Sequence, residues 1–184
     1  MPSVLVPLAE GCEELEAVTI VDLLRRAEIE VVTAGLAEGP VRASRGTVLV
    51  PDTTLDAVKD RDFDMVVLPG GLPGARHLEE DKRVRAILER HQRLGSYMAA
   101  ICAAPKVLAS AGILDGRKAT SYPGTLKPAD FPKVELLDAP VIVDGSVVTS
   151  RGPGTAMDFA LQLVELLAGR ERRTQVEQAL VRPA

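Results

Sequence analysis

Short, unbroken apolar runs alternate with segments of helical period along the whole chain, and that alternation leaves few folds open. Residues 65–68 are apolar throughout and 4–8 nearly so, as parallel strands covered on both faces require. Further strands are expected at 30–34, closed by Gly35, at 47–50, ending at Pro51, and at 97–101. Helices are expected at 13–26, at 54–58 with Thr53 or Thr54 as cap, at 81–94 and at 104–110. On the first of these the apolar face should be Leu15, Val18, Ile20, Leu23 and Leu24. Shorter strands fall at 119–120, 134–136, 141–143 and 147–149, with Asp144-Gly145 turning between the last two. A helix over 155–167 starts after Pro153 and stops at Gly169, and a final helix covers 170–180. This order predicts an α/β fold, a doubly wound, mostly parallel sheet with helices on both faces. The 184 residues suffice for one domain with a substantial core. In such a fold the ligand crevice lies beyond the carboxyl ends of the strands. The informative positions are therefore 10–16, 69–74, 102–104, 121–124 and 150–155.

Composition narrows the function classes. A net charge of −4 argues against a surface dedicated to nucleic acid. The basic clusters, Arg25-Arg26 and residues 170–173, carry helical spacing and read as solvated helix faces. No apolar run is long enough to span a bilayer. Met1-Pro2-Ser3-Val4 brings no basic region ahead of its apolar run, so no secretory leader is expected. Two distant cysteines, Cys12 and Cys102, suggest reduced thiols and a cytoplasmic setting. With no CxxC pair and two histidines, a zinc site lacks ligands, and His91, in a polar helical stretch, is expected at the surface.

The segment Ala99-Ala100-Ile101-Cys102-Ala103-Ala104-Pro105 sits where a buried strand becomes a helix. Small residues two before and two after a nucleophile permit a sharp turn, as in the G-x-S-x-G elbow. The turn lifts the sulfur above the sheet, where helix N-terminal amides favour a thiolate. The competing reading is a small cysteine buried in the core. In Gly11-Cys12-Glu13-Glu14-Leu15-Glu16, the acids Glu13 and Glu14 suit a helix dipole, whereas Glu16 falls near the apolar side and points back toward the crevice. A carboxyl held there in low dielectric is raised in pKa and, protonated, donates to the Cys102 thiolate and acts as general acid or base. Pro69-Gly70-Gly71 reads as a tight turn with exposed amides; beside the elbow, those of Gly71 and Ala103 bind an oxyanion. Cys12 lies near the crevice mouth, a position for a modulating thiol.

Together with Val67-Leu68-Pro69-Gly70-Gly71 and Thr149-Ser150-Arg151-Gly152-Pro153-Gly154-Thr155, these segments resemble the ThiJ/PfpI superfamily, closest to the clade of the parkinsonism-associated protein deglycase and its bacterial YajL-type relatives. The likeness runs from Ser3 to about Leu180, with the motifs in the same order. It implies a flavodoxin-like sandwich, a homodimer, and no metal or organic cofactor. It matches Cys102 to the family's reactive cysteine, Glu16 to its partner carboxylate, and Gly70 and Gly71 to the turn lining the pocket. Arg45 and the loop Arg151, Gly152, Pro153, Gly154 and Thr155 match segments near the dimer contact and the site. The peptidase-like branch places a histidine directly after its cysteine; Ala103 stands there and disfavours protease chemistry. Animal members carry a histidine before the proline matched by Pro123; Tyr122 stands there, a hydrogen-bond donor but a poor base at neutral pH. The implied activity is on reactive dicarbonyls: conversion of methylglyoxal or glyoxal to a hydroxy acid, or removal of early adducts from protein and nucleotide groups. The alternative is an oxidation-sensing stress protein or chaperone using the same cysteine with little turnover.

Overall fold

In the computed structural model, which describes residues 1–183, the central strands send alternate residues to opposite faces of one sheet. The first strand, β1 (Ser3–Leu8), is followed by β2 (Glu30–Gly35), β3 (Val41–Arg42), β4 (Val48–Leu49) and β5 (Thr53–Thr54). Then come β6 (Met65–Leu68), β7 (Tyr97–Ile101), β8 (Lys118–Ala119), β9 (Glu135–Leu136), β10 (Val141–Asp144) and β11 (Val147–Ser150). Val4, Val6 and Leu8 of β1 enter one apolar cluster and Leu5 the other, and β6 divides Met65 and Val67 from Val66 and Leu68 in the same way. That period of two explains why these runs are apolar on every residue.

Seven strands form the main sheet in the order β10-β11-β7-β6-β1-β2-β5. All neighbours are parallel except the edge hairpin of β10 and β11. Helices α1 (Glu14–Arg26) and α6 (Ala156–Ala179) cover one face through Ile20, Leu24, Phe159 and Val164. The other face is covered by α2 (Leu55–Val58), α3 (Leu72–Glu80), α4 (Lys82–Leu94) and α5 (Pro105–Ser110), with Leu55, Leu78, Leu88 and Leu108 inward. The fold is thus the expected flavodoxin-like α/β arrangement, and its strand order reverses between β1 and β6. That switch point opens a crevice at the carboxyl ends of β1, β6 and β7.

Several elements differ from the expectation. Helix α3 was not anticipated: Pro73 and Gly74 look like breakers, yet they lie in the first turn, where proline loses no intrahelical bond. Thr54 does cap α2 by position, but its side chain makes no capping bond. The hairpin pairs Asp144 with Val147, so its two-residue loop is Gly145-Ser146, one place later than expected. Gly169 breaks α6, as expected, at φ 87° and ψ 166°.

On α1 the inward stripe is Glu16, Ala17, Ile20, Leu23 and Leu24, while Leu15 and Val18 stand half exposed. His91 is fully buried rather than at the surface. It continues the Val84, Ile87, Leu88 stripe of α4, accepts the Phe63 N–H on Nε2 (3.0 Å) and donates from Nδ1 to the Ile87 carbonyl (2.8 Å). Its neutral tautomer therefore joins α4 to the strand entering β6. Among the described residues no helix is long and apolar enough to cross a membrane.

Candidate active site

The residue after β7 is Cys102, whose φ of +65° places a non-glycine side chain in the left-handed region. Such a conformation is costly and persists only where the surroundings hold it. Here the Cys102 N–H donates to the Ser150 carbonyl (3.0 Å), and the Cys102 carbonyl accepts the Tyr122 N–H (2.8 Å). The elbow is thereby pinned from β11 on one side and from the 121–125 turn on the other.

Glu16 approaches from α1. Its side chain is buried, and Oε2 accepts the Gly70 N–H at 2.8 Å. Oε1 is buried without a hydrogen-bond partner, and the carboxyl and the Cys102 thiol each shift the other's titration. Gly70 is where the backbone comes closest: a Cβ there would sit 2.6 Å from both the Cys102 Cβ and Glu16 Oε2. Only glycine lets carboxyl and sulfur meet.

The electrostatics correct one expectation. Burial, then the charge of Glu16 and its hydrogen bond, push the Cys102 thiol up to about 12, while the Gly71 and Ala103 amides pull it down. Helix α5 has six residues, too short a dipole to reverse this. Burial likewise raises Glu16 to about 7, against the Gly70 amide and the Cys102 hydrogen bond. One proton therefore serves both groups. With that proton on Glu16, the charge opposing thiolate formation disappears and the carboxylic O–H becomes a donor to sulfur.

Cys102 is 9% exposed and opens onto a cavity of about 810 Å³. Gly71, Ala103, Tyr122, Pro153 and Arg45 share its wall. The ring of Tyr122 covers Gly152, whose added Cβ would lie 3.3 Å from it. Thr155 ties its loop from beneath: Oγ1 accepts the Gly152 N–H (3.1 Å) and lies 2.6 Å from Ser150 Oγ. Arg151 turns instead to Asp138 (2.6 Å), and Arg151, Gly154 and Thr155 do not line the cavity. Glu14 does more than face a helix dipole. Its carboxylate accepts the Arg45 N–H (2.9 Å) and Ser44 Oγ (3.1 Å), fixing the loop that carries Arg45. Glu13 accepts Ser44 Oγ at 2.9 Å. Cys12 is 1% exposed and absent from the cavity wall, which removes it as a modulating thiol at the mouth.

Lining residues outside the positions singled out in the sequence, apart from Arg45, are Ser44, Lys106, Thr125, Lys127 and Asp130. A signal existed for Lys106, four residues after the cysteine and so one helical turn on. None existed for Lys127 or Asp130, which the long 120–134 connection brings over the site. Among the described residues no three His, Cys, Asp or Glu side chains gather as metal ligands would.

Known proteins are similar to this chain over nearly its whole length. Protein dj-1beta of Drosophila melanogaster is 45% identical over 181 residues, covering 97% of this chain and 96% of that one. The crystal structure of Drosophila DJ-1beta matches with a TM-score of 0.95 at 44% identity, covering 100% and 99% of the two chains. The oxidized form of Toxoplasma gondii DJ-1 matches with a TM-score of 0.93 at 39% identity over the full length of both. The glutathione-independent glyoxalase DJR-1.2 of Caenorhabditis elegans is 36% identical over 171 residues, covering 93% of this chain and 91% of that one. The model of the DJ-1/PfpI family matches residues 2–166, a stretch that contains Glu16, Gly70 and Cys102: the chain belongs to the DJ-1/PfpI family.

Proposed function

We propose that this protein converts small reactive dicarbonyls to hydroxy acids, and releases their early adducts from amines and thiols, through Cys102 and Glu16 and without a cofactor. The observation that carries the reading is a buried carboxyl, raised to about 7, set against a cysteine sulfur that opens onto a cavity. The kinship with a glutathione-independent glyoxalase supports the same chemistry.

As the sulfur adds to the aldehyde carbon of methylglyoxal, its proton passes to the Glu16 carboxylate and from there to the new hydroxyl, giving a hemithioacetal. Glu16, now a carboxylate, takes the hydrogen from that carbon, and the electron pair becomes an enediolate steadied by the Gly71 and Ala103 amides. Returning that proton to the adjacent carbon, while the hydroxyl proton passes from the first oxygen to the second, gives a thioester. Water cleaves it to lactate and restores the thiol, so the overall change is methylglyoxal plus water to lactic acid, with no net oxidation. Tyr122, in the wall, serves as a hydrogen-bond donor. Ala103 directly after Cys102 leaves no Cys-His dyad, which favours the deglycase and YajL-type branch over the peptidase-like one. A cytoplasmic setting with reduced thiols suits this chemistry.

A homodimer fits the exposed apolar surface. Leu15 and Val18 on α1 are half exposed, and Val18 lines a cleft with Val21, Leu49 and Val50. The test of activity is methylglyoxal consumption with lactate appearance. Cys102→Ser should lose at least about a hundredfold in kcat/KM, and a variant consuming methylglyoxal at the unmutated rate would end the proposal.

A second reading, an oxidation-responsive stress protein or chaperone, draws on the two amides and the carboxyl that surround the sulfur. They suit the oxygens of a sulfinic acid as they suit an enediolate. Peroxide treatment followed by peptide mass spectrometry separates the readings, since the sensor requires two oxygens on Cys102 and none on Cys12.

A further inference from the structure

The cavity at Cys102 continues into a second one of about 360 Å³ between α3 and α5. The two share Leu72, Pro73, Ala103, Lys106 and Thr125, so they are chambers of one groove, and Lys106 is the charged residue at their junction. Methylglyoxal has five heavy atoms and leaves most of this space unfilled.

Charge along the groove is unevenly answered. Elsewhere most arginines are engaged by carboxylates, as Arg83 is by Asp56 and Asp81, Arg117 by Asp144 and Arg173 by Glu165, with Arg42, Arg93 and Arg170 as exceptions among the described residues. Among the described residues, none of the four groove cations, Arg45, Arg76, Lys106 and Lys127, has a carboxylate within ion-pair distance. Three carboxylates also line the groove. They are Glu13, which accepts Ser44 Oγ (2.9 Å), Glu79, which accepts Ser110 Oγ (2.5 Å), and Asp130; these bonds leave the charges in place, so the groove carries one more positive than negative group. All four cations are solvent-exposed, but charges of one sign gathered around a concave groove focus their field on an entering anion more than the same charges on open surface do.

We propose that the groove recognises an anionic group, carboxylate or phosphate, carried on the dicarbonyl or its adduct, with Lys106 as the specificity-determining residue; this substrate class rests on the dicarbonyl reading above. The reacting carbon sits at Cys102 and the remainder of the molecule lies over Leu72 and Pro73, with its negative group at Lys106. Free methylglyoxal is then a minimal substrate that uses only the first chamber.

Iodoacetate and iodoacetamide attack the same sulfur and differ chiefly in one negative charge. The ratio of their rate constants at Cys102, followed by peptide mass spectrometry, therefore reports local charge whatever the ionisation of the thiol. Lys106→Met should lower the iodoacetate-to-iodoacetamide ratio about threefold at low salt, Lys106→Arg should preserve it, and about 1 M salt should shrink the difference. An unchanged ratio in Lys106→Met overturns the proposal. Phenyl phosphate and benzoate as competitors of alkylation tell phosphate from carboxylate by which one protects; protection by neither also overturns it. In turnover, the preference for 4-carboxyphenylglyoxal over phenylglyoxal should fall by the same factor in Lys106→Met, through KM. Should the protein consume neither compound while the alkylation ratio still shifts, the anion site stands and the dicarbonyl reading fails.

Discussion

Cys12 and Cys102 occupy the same kind of place, a loop just past a parallel strand and just ahead of a helix, and the fold treats them in opposite ways. Cys12 is held by its backbone. Its N–H donates to the Ala9 carbonyl (3.0 Å), and its carbonyl accepts the Ser44 N–H (2.8 Å). Its thiol is pushed up to about 11, first by burial and then by the charge of Glu14. Cys102 is raised as well, and by the same leading cause. Burial alone therefore does not separate a structural thiol from a reactive one. The difference lies in the neighbour. Glu16 is able to take the proton that Cys102 must release, and a cavity lies in front of the sulfur; Cys12 has neither.

Two glycines offer the hardest blow to this contrast. Gly70 presses on Cys102 and Glu16, while a Cβ on Gly74 would meet the Cys12 nitrogen and Cα at 2.7 Å. Alanine at either position is expected to cost about 2–3 kcal/mol of folding stability, measured by urea denaturation. The consequences for Cys102 should diverge. Gly70→Ala forces carboxyl and sulfur apart and should slow alkylation of Cys102 in the folded protein about tenfold or more. Gly74→Ala should leave that rate nearly unchanged. Equal alkylation rates in the two variants would show that the Glu16–Cys102 approach is not what makes this thiol distinct.

A gentler test uses pH. Burial lifts the Glu16 carboxyl from 4.5 to about 7. A group whose folded pKa is raised binds more protons folded than unfolded between those values, so stability is full below about 4.5 and is lost as pH rises through about 7. The loss should be about 3 kcal/mol. Glu16→Gln removes the titrating group and should flatten the profile across that window, with the two proteins differing most above neutral pH. A parallel profile for Glu16→Gln would mean that the carboxyl is not the buried acid on which the Cys102 chemistry depends.

Much of this contrast was legible in the sequence, for identifiable reasons. Parallel strands covered on both faces must be apolar on every residue, so residues 65–68 and their turn stood out. The small residues around Cys102 announced a sharp bend. What the pattern concealed were cases where one residue plays two parts. Glu16 lies on the inward stripe of α1, and reading Leu15 and Val18 as that stripe hid how deeply it is buried. His91 was masked by its charged neighbours Arg90 and Arg93, although its spacing from Val84, Ile87 and Leu88 is that of a core position. Pro73 and Gly74 stop a helix in its middle and are tolerated in its first turn, which concealed α3 and with it one wall of the groove. The raised Cys102 thiol was not legible, because it arises from burial and from a carboxylate distant in sequence.

The smallest expected effect bears on the other cysteine. Cys12→Ala removes one sulfur from a site that is 1% exposed, surrounded by fixed backbone rather than by groups that depend on it. The cost should be about 1 kcal/mol, the price of a small cavity in a packed region. Methylglyoxal consumption and Cys102 alkylation should stay within about twofold of the unmutated protein, since Cys12 does not line the cavity and shares no proton with Glu16. The comparison predicts an asymmetry rather than two inert substitutions: Cys12→Ala shifts stability and spares chemistry, and Cys102→Ser does the reverse. The left-handed Cys102 backbone at φ +65° is strained whichever side chain it bears, so replacing its sulfur does not relieve that strain. A Cys12→Ala protein that lost its Cys102 reactivity while keeping its fold would mean that the two thiols communicate through the 10–16 loop, and that their separation into structural and chemical roles is false.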